Sequence, residues 1–436
     1  MRRLGSILLW SVLAAAFIGP GTVTTAASAG NRFGYSLLWA LLFSTVACAV
    51  LQEAAARLTI AGGLDLGAAL RERYSGGVRR VGILLLVFGA IIVGCAAYEA
   101  GNILGGVAGA QLLGDLSQGT WTLILGGAAA VLLWFNSPTR VAQVLALLVA
   151  AMGGAFLWAA YLLRPEVAEV LEGALRPSLP PGSTVLALGL VGTTVVPYNL
   201  FLGSGLAAGR RLGETRFGIL VAVGLGGLIS MAVLVVGSAL DGSFSFAALT
   251  AVLIERLGPW AKPMVPVGLL AAGLSSAVTA PLAAALTARG LWGGTESPDG
   301  ASGWSRVGWR YRLVWLAVLG VGVGFGVSGV QPVPVIVLAQ ALNGVLLPLV
   351  AIFLLLAVND RRTMGDKAVN GVVANVMATG VVAVALVLGL NGLVKAAVRA
   401  LGAEPWSEAR LLASAGAVLA ILAVPVAVGV WRARRP

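Results

Sequence analysis

Long apolar stretches recur from one end of this chain to the other, and most have the length that crosses the roughly 30 Å hydrocarbon core of a bilayer. Of the 436 residues, 59% are hydrophobic and 11% are charged, whereas about a quarter of the residues in a soluble domain are charged. We therefore predict an all-α polytopic membrane protein. Its twelve or so spans are expected at about 4–30, 35–57, 81–112, 120–135, 141–163, 184–208, 216–239, 264–288, 312–327, 333–358, 369–394 and 410–431.

The chain is also basic, with 29 lysines and arginines against 17 acidic residues and a net charge of +12. The basic residues concentrate in alternate loops, such as those that contain Arg79-Arg80 and Arg361-Arg362. Cytoplasmic loops of membrane proteins carry this kind of excess. We expect both termini in the cytoplasm, a plasma-membrane location with lipid as the surrounding partner, and no nucleic-acid partner.

Two spans are interrupted near their middle, the first at Gly19-Pro20-Gly21-Thr22 and the sixth at Val196-Pro197-Tyr198-Asn199. Proline removes a backbone donor and clashes with the preceding turn, so the freed groups need protein, water or a ligand inside a bilayer. The sixth span lies five places after the first, and the two broken helices therefore run in opposite directions. Inverted-repeat secondary transporters hold their substrate at the midplane between two such helices.

We expect one transmembrane domain over 1–436 because no loop is long enough to form another. Spans 1 to 5 (about 4–163) and 6 to 10 (about 184–358) are the two predicted repeats, and about two additional C-terminal spans cover 369–431. The longest connections include 164–183, and the outer segment 244–257 has apolar residues at helical spacing, which predicts a short interfacial helix. Sequence identity between the halves is weak, so the matched breaks carry the repeat hypothesis.

Several motifs resemble the Nramp divalent-metal transporters, a family of proton-coupled manganese and iron carriers with a LeuT-type fold. The similar stretches are 34–39 (GYSLLW), 51–58 (LQEAAARL), 197–202 (PYNLFL), 273–276 (GLSS), 340–344 (QALNG) and 359–366 (NDRRTMGD). They cover nearly the whole chain. The resemblance implies the LeuT-type inverted repeat of five plus five spans, and a substrate site at the two breaks.

The chain departs from this family at the site itself. The family pattern is Asp-Pro-Gly-Asn at the first break and Met-Pro-His at the sixth, whereas Gly19, Thr22, Val196 and Tyr198 occupy the four variable positions here. By resemblance, the substrate-binding positions are Gly19, Gly21, Thr22, Val195, Val196, Tyr198, Asn199 and Gln340.

The donor set at these positions favours a hard cation. Transition-metal selectivity is helped by thioether, thiolate or imidazole ligands, and the chain has no histidine. Mg²⁺ retains several waters and accepts carbonyls, hydroxyls and amides. We expect Thr22, Asn199 and Gln340 as metal ligands, together with unwound carbonyls near Gly19 and Val195.

Glu99 is the only acidic residue predicted deep in a span. A carboxylate there is a functional hypothesis by default, because its charge costs about 2.5 kcal/mol or more in lipid. It could accept protons as the coupling ion, balance the charge of a cation, or form a structural hydrogen bond with Asn102. The resemblance aligns Glu99 with an acidic residue of the family proton route and Asn102 with a second carboxylate.

Other readings remain open. A free half-helix N-terminus suits an amino acid or small organic anion, and a non-transporting sensor or scaffold is a third alternative. Thr193 and Thr194 could line the site or bond a carbonyl one turn back. No catalytic constellation and no Gly-Lys-Ser or Gly-Lys-Thr phosphate loop is present. We therefore expect a secondary transporter, neither an enzyme nor a cofactor-dependent protein.

Overall fold

The computed structural model describes residues 18–74, 76–135, 139–293, 303–305, 307–400 and 408–434. Within them the secondary structure is helical. In chain order the α-helices are α1 (Pro20–Phe33), α2 (Leu38–Gly62), α3 (Leu66–Arg73), α4 (Gly77–Gln111), α5 (Gln118–Phe135), α6 (Thr139–Leu163), α7 (Val167–Leu175), α8 (Thr184–Thr194), α9 (Pro197–Leu206), α10 (Leu212–Gly237), α11 (Phe246–Leu257), α12 (Met264–Trp292), α13 (Trp309–Val327), α14 (Pro332–Ala357), α15 (Arg361–Ala368), α16 (Val372–Ala400) and α17 (Glu408–Ala433).

Eleven helical segments of the described chain are long and apolar enough to cross a membrane, with α8 and α9 counted as one broken span. They coincide with the second to twelfth predicted spans. The first predicted span is represented by α1, and its residues 4–17 lie outside the described residues. Large apolar side chains face outward along these helices: Leu123, Leu147 and Leu220 are 62%, 70% and 66% exposed. Soluble monomers rarely present such a surface, so these faces point towards lipid.

Four short α-helices of the described chain, α3, α7, α11 and α15, lie outside the spans. The predicted helix within 244–257 is confirmed as α11, where Ser245 caps the first turn through a bond from the Ala248 amide. Helix α7 was not predicted, because 164–183 was interpreted only as a long connection between spans, although apolar residues recur at helical spacing in Val167–Leu175. Tertiary contacts hold it: a Cβ added at Gly173 would stand 2.2 Å from the carbonyl oxygen of Tyr35.

The central helices cross closely. Helix α4 packs against α12, α13 and α14, and α14 also packs against α8. A Cβ added at Gly192 of α8 would stand 2.0 Å from the carbonyl oxygen of Gln340, and one at Gly344 of α14 would stand 2.5 Å from the carbonyl oxygen of Leu188. Only glycine permits this backbone approach. It brings the middle of α14 onto the last turn of α8.

The end of the helix bundle predicted to be cytoplasmic is joined by arginines. Arg57 of α2 donates to the Glu53 carboxylate, the Ala368 carbonyl and the Asn370 side chain. Arg216 of α10 donates to the same carboxylate, with Nη2 2.7 Å from Oε1 of Glu53. These bonds link α2 to α10 and to the segment between α15 and α16.

Candidate functional site

The first break is shorter than its sequence suggests. Gly19 is extended (φ −85°, ψ 176°), and α1 begins at Pro20, where the missing N–H costs no helical bond. Gly21 and Thr22 therefore belong to the first helical turn. The Gly19 carbonyl accepts bonds from the amides of Thr22 and Val23 at 3.1 and 3.2 Å. The helix start therefore engages the Gly19 carbonyl, and the expectation of ligand carbonyls near Gly19 stays a prediction.

The second break lies where it was predicted. Helix α8 ends at Thr194, Val195 (φ −106°, ψ 78°) and Val196 (φ −81°, ψ 122°) are non-helical, and α9 begins at Pro197. A helix end leaves the carbonyls of its last turn without intrahelical donors. The break therefore presents the carbonyl end of α8 beside the amide end of α9.

Three helices meet at the breaks. The Thr22 and Thr193 hydroxyls share a hydrogen bond of 2.8 Å, which joins the first turn of α1 to the last turn of α8. From α14, the amide of Gln340 lies against Gly21, since a Cβ added at Gly21 would stand 2.1 Å from Nε2 of Gln340. The structure thus brings together predicted positions on spans 1, 6 and 10.

Buried amide groups at this junction lack partners. Asn199 and Gln340 are fully buried, and within the described residues neither the nitrogen nor the oxygen of either side-chain amide is hydrogen bonded. Each buried polar group without a hydrogen bond costs about 1–3 kcal/mol in a dry interior. The four unpartnered atoms of the two amides therefore destabilise the folded protein. Amides placed this way are available to bind a polar or charged solute.

Tyr198 faces a different neighbour. Its ring packs edge-on against Tyr98 of α4, with ring centroids 5.5 Å apart and the planes at 82°. Tyr98 directly precedes Glu99 in the chain. The position that carries histidine in the family that the motifs resemble is therefore adjacent to the helix segment that carries the buried acid.

Glu99 is fully buried. Its Oε2 accepts a bond from Nδ2 of Asn102 at 3.3 Å, while its Oε1 has no hydrogen-bond partner among the described residues. From α13, Gly322 approaches so closely that an added Cβ would stand 2.7 Å from Cγ of Glu99. The bond to Asn102 that the sequence suggested is present, and one carboxylate oxygen remains available for a proton or another partner.

Some residues of the site were not assigned by sequence reasoning. Gln52 of α2 donates from Nε2 to the Asn199 carbonyl at 3.2 Å, and its buried Oε1 has no partner within the described chain. Its signal was an uncharged polar residue inside a buried span. The sequence left the roles of Thr193 and Thr194 open, and the structure distinguishes them. Thr193 bonds to Thr22, whereas Thr194 bonds the Leu190 carbonyl one turn back at 3.0 Å.

The groups at the breaks that could bind a metal ion are hydroxyls, side-chain amides and backbone groups. Across the part of the chain that the structure describes, no three His, Cys, Asp or Glu side chains come together in a cluster that could hold a metal ion. Val196 is buried at the sixth break and has no ligating atom in its side chain. A cation held here would retain water molecules or use weak neutral ligands.

Comparison with known proteins gives one consistent result. The family described as "Natural resistance-associated macrophage protein-like" (Nramp) matches residues 11–395. A "Divalent metal cation transporter MntH" from Deinococcus radiodurans is 30% identical over 415 residues, which are 90% of each chain. Another of that name, from Aeromonas hydrophila, is 28% identical over 87% of this chain and 92% of its own.

Solved structures show the same fold. A mutant form of the Eremococcus coleocola manganese transporter superposes with a TM-score of 0.71 at 20% identity, covering 97% of this chain and 94% of the other. The same transporter bound to an aromatic bis-isothiourea compound superposes with a TM-score of 0.70.

Proposed function

The chain is a member of the Nramp family, and from this premise we propose that it carries a divalent cation across the membrane, with a hard ion such as Mg²⁺ as its substrate. The relatives named as divalent metal cation transporters support the broader part of this proposal. The ligand groups at the breaks support the choice of a hard ion. The observation that carries it is the convergence of Thr22 and Gln340 at the first break, with the unpartnered amide of Asn199 in the first turn of α9.

The chemistry of these groups favours a hard ion. Mg²⁺ binds oxygen ligands and gives up its waters reluctantly, so a few neutral groups can hold it in partly hydrated form. Mn²⁺, Fe²⁺ and Cd²⁺ gain selectivity from nitrogen or sulfur ligands. Neither type of side chain is present at the four variable positions of the breaks, where Gly19, Thr22, Val196 and Tyr198 stand.

The carbonyl end of α8 also favours a cation at the breaks. The carbonyl end of α8 carries a partial negative charge of about half an electron. At the start of α1, Pro20 has no N–H and the Thr22 amide donates to the Gly19 carbonyl. Few amide donors remain at the start of α1 for a carboxylate, so the amide end of α9 is the helix end at the breaks that suits an anion.

We propose that transport proceeds by alternating access, with spans 1 and 6 moving against α4 and its neighbours around the bound ion. The Thr22–Thr193 bond keeps the two broken spans together during this movement. Glu99 is the proposed proton acceptor, since one of its buried oxygens has no partner among the described residues. In this proposal the termini face the cytoplasm of the cell.

The test is an uptake panel with the purified protein in proteoliposomes. The panel covers Mg²⁺, Mn²⁺, Cd²⁺, Ca²⁺, amino acids and small organic anions, each with and without an inward proton gradient. Saturable Mg²⁺ uptake that unlabelled Mn²⁺ inhibits only weakly is the expected result. Transition-metal uptake without Mg²⁺ uptake would refute the hard-ion proposal. Saturable uptake of an organic solute alone, or flux of no solute at all, would refute cation transport.

A further inference from the structure

A cavity of about 800 Å³ lies between α2, α7 and α16, and its lining residues are different from those of the two breaks. It is at the end of the spans predicted to face outward. Its walls are largely apolar and include Trp39, Phe43, Val46, Leu175 and Leu388. Val46 and Leu175 are 47% and 69% exposed, so the cavity opens sideways on the surface that faces lipid. Its volume falls in the range of about 300–1,000 Å³ that is usual for small-ligand sites.

One wall is fixed by a hydrogen bond. Nε1 of Trp39 donates to the Ser178 carbonyl at 2.8 Å, which holds the segment after α7 against α2. Both residues line the cavity. The cavity is therefore built by tertiary contacts between two helices and a connecting segment.

Polar groups occur together at one part of the cavity. Lys395 and Asn391 lie one turn apart on α16 and both line it. Nζ of Lys395 donates to the Thr184 hydroxyl at 2.7 Å, and among the described residues no carboxylate pairs with this ammonium group. Asn391 is 9% exposed, and its Oδ1 has no hydrogen-bond partner in the described chain. Glu172 of α7 pairs with Arg176 and does not line the cavity.

We propose that this cavity binds an anionic phospholipid of the outer leaflet, with phosphatidylglycerol as the fitting headgroup. An acyl chain lies along the apolar walls, where its burial is favourable. The phosphate accepts hydrogen bonds from the Lys395 ammonium, whose long side chain reaches the interface. A glycerol hydroxyl donates to Oδ1 of Asn391. Phosphatidylcholine lacks such a hydroxyl donor and carries no net charge.

The experiment measures lipid retained by the full-length protein. Wild-type protein is reconstituted in nanodiscs of equal phosphatidylglycerol and phosphatidylcholine, released, and examined by native mass spectrometry. We expect one phosphatidylglycerol to be retained. Lys395→Gln should reduce this retention about fivefold, the effect of one basic residue near an anionic membrane surface. Lys262→Gln is the matched control, since Lys262 is an exposed lysine outside the cavity, on the same predicted side.

Ala383→Trp tests the apolar part of the same cavity, because Ala383 lines it and the indole would fill the space of the acyl chain. This variant should retain no lipid of either kind. The thermal midpoint and gel-filtration profile establish whether each variant is folded. If Ala383→Trp does not fold, the lipid retention of Lys395→Gln alone decides whether the proposal holds. Equal retention of both lipids, retention of detergent only, or wild-type retention in Lys395→Gln would each overturn the proposal.

Discussion

Gly21 of α1 lies directly beneath the side-chain amide of Gln340 of α14, and a Cβ added at Gly21 would stand 2.1 Å from Nε2 of Gln340. The two residues are more than 300 positions apart in the chain. Because glycine has no side chain, the amide can lie over the first turn of α1 next to Thr22. The position of Gln340 therefore depends on the absence of a methyl group in span 1.

This contact predicts the effect of Gly21→Ala. The new methyl group should displace the Gln340 amide and lower cation uptake about tenfold, the loss of one good hydrogen bond to a charged group. Gly101→Ala is the matched control, because its Cβ would meet the same Nε2 at 3.8 Å, which is ordinary contact. In a double-mutant cycle, Gly21→Ala should cause no further loss on top of Gln340→Ala. Additive losses would mean that Gly21 acts independently of Gln340.

The hydroxyl of Thr22 and the amide of Asn199 are predicted to contact the ion. Thr22→Val and Asn199→Leu should each weaken apparent affinity about tenfold or more, since a hydrogen bond to a charged group is worth about 1.5–3 kcal/mol. Thr194→Val is the control, because Thr194 bonds the Leu190 carbonyl instead. The measurement is the concentration dependence of uptake in proteoliposomes. Unchanged affinity in both site variants would contradict the proposed site.

Selectivity should follow the side chains at the breaks. The double variant Gly19→Asp with Val196→Met introduces a carboxylate and a thioether at the two positions where the family pattern has them, and it should raise the affinity for Mn²⁺ and Cd²⁺. Isothermal titration calorimetry of purified protein gives the readout, with each single variant as a comparison. Micromolar Cd²⁺ binding to the wild-type protein, with no heat from Mg²⁺, would show that the hard-ion assignment is mistaken.

Glu99→Gln tests proton coupling. The glutamine amide keeps the shape of the side chain and can still bond with Asn102, but it cannot take up a proton. Acid-stimulated uptake should be lost while substrate binding stays nearly unchanged, as measured by uptake at several external pH values and by calorimetry. If Glu99 is a countercharge instead, binding weakens and the pH dependence of the remaining flux is unaltered. Wild-type behaviour in every measurement would assign Glu99 a structural role only.

The buried ion pair of Arg57 should stabilise the protein more than the exposed ion pair of Arg176. Arg57 and Glu53 form an i,i+4 pair with the Arg57 side chain 7% exposed, whereas the i,i+4 pair of Arg176 and Glu172 is 79% and 64% exposed. Arg57→Met removes several charge-assisted bonds, each worth about 1.5–3 kcal/mol, and should lower the thermal midpoint in detergent clearly. Arg176→Met should change it little, because exposed pairs contribute about 0–1 kcal/mol. Equal shifts in the two variants would argue against this difference.

Several features of this protein could be predicted from its sequence because they depend on local chemistry. Apolar segments of membrane-crossing length identify spans wherever they occur, and they match the described helices from the second span onward. The break before Pro197 and the helix α11 were also predicted, since proline geometry and helical periodicity act over a few residues. Family membership followed from motifs distributed along the chain, and the match over residues 11–395 confirms it.

The tertiary structure alone decided which of these groups meet. The Thr22–Thr193 bond joins residues 171 positions apart, and the approach of Gln340 to Gly21 depends on Gly192 and Gly344 letting two helix backbones touch. Such features depend on packing between distant segments, where a single Cβ or a single turn of helix changes the outcome, and local propensity contains no information about those distances.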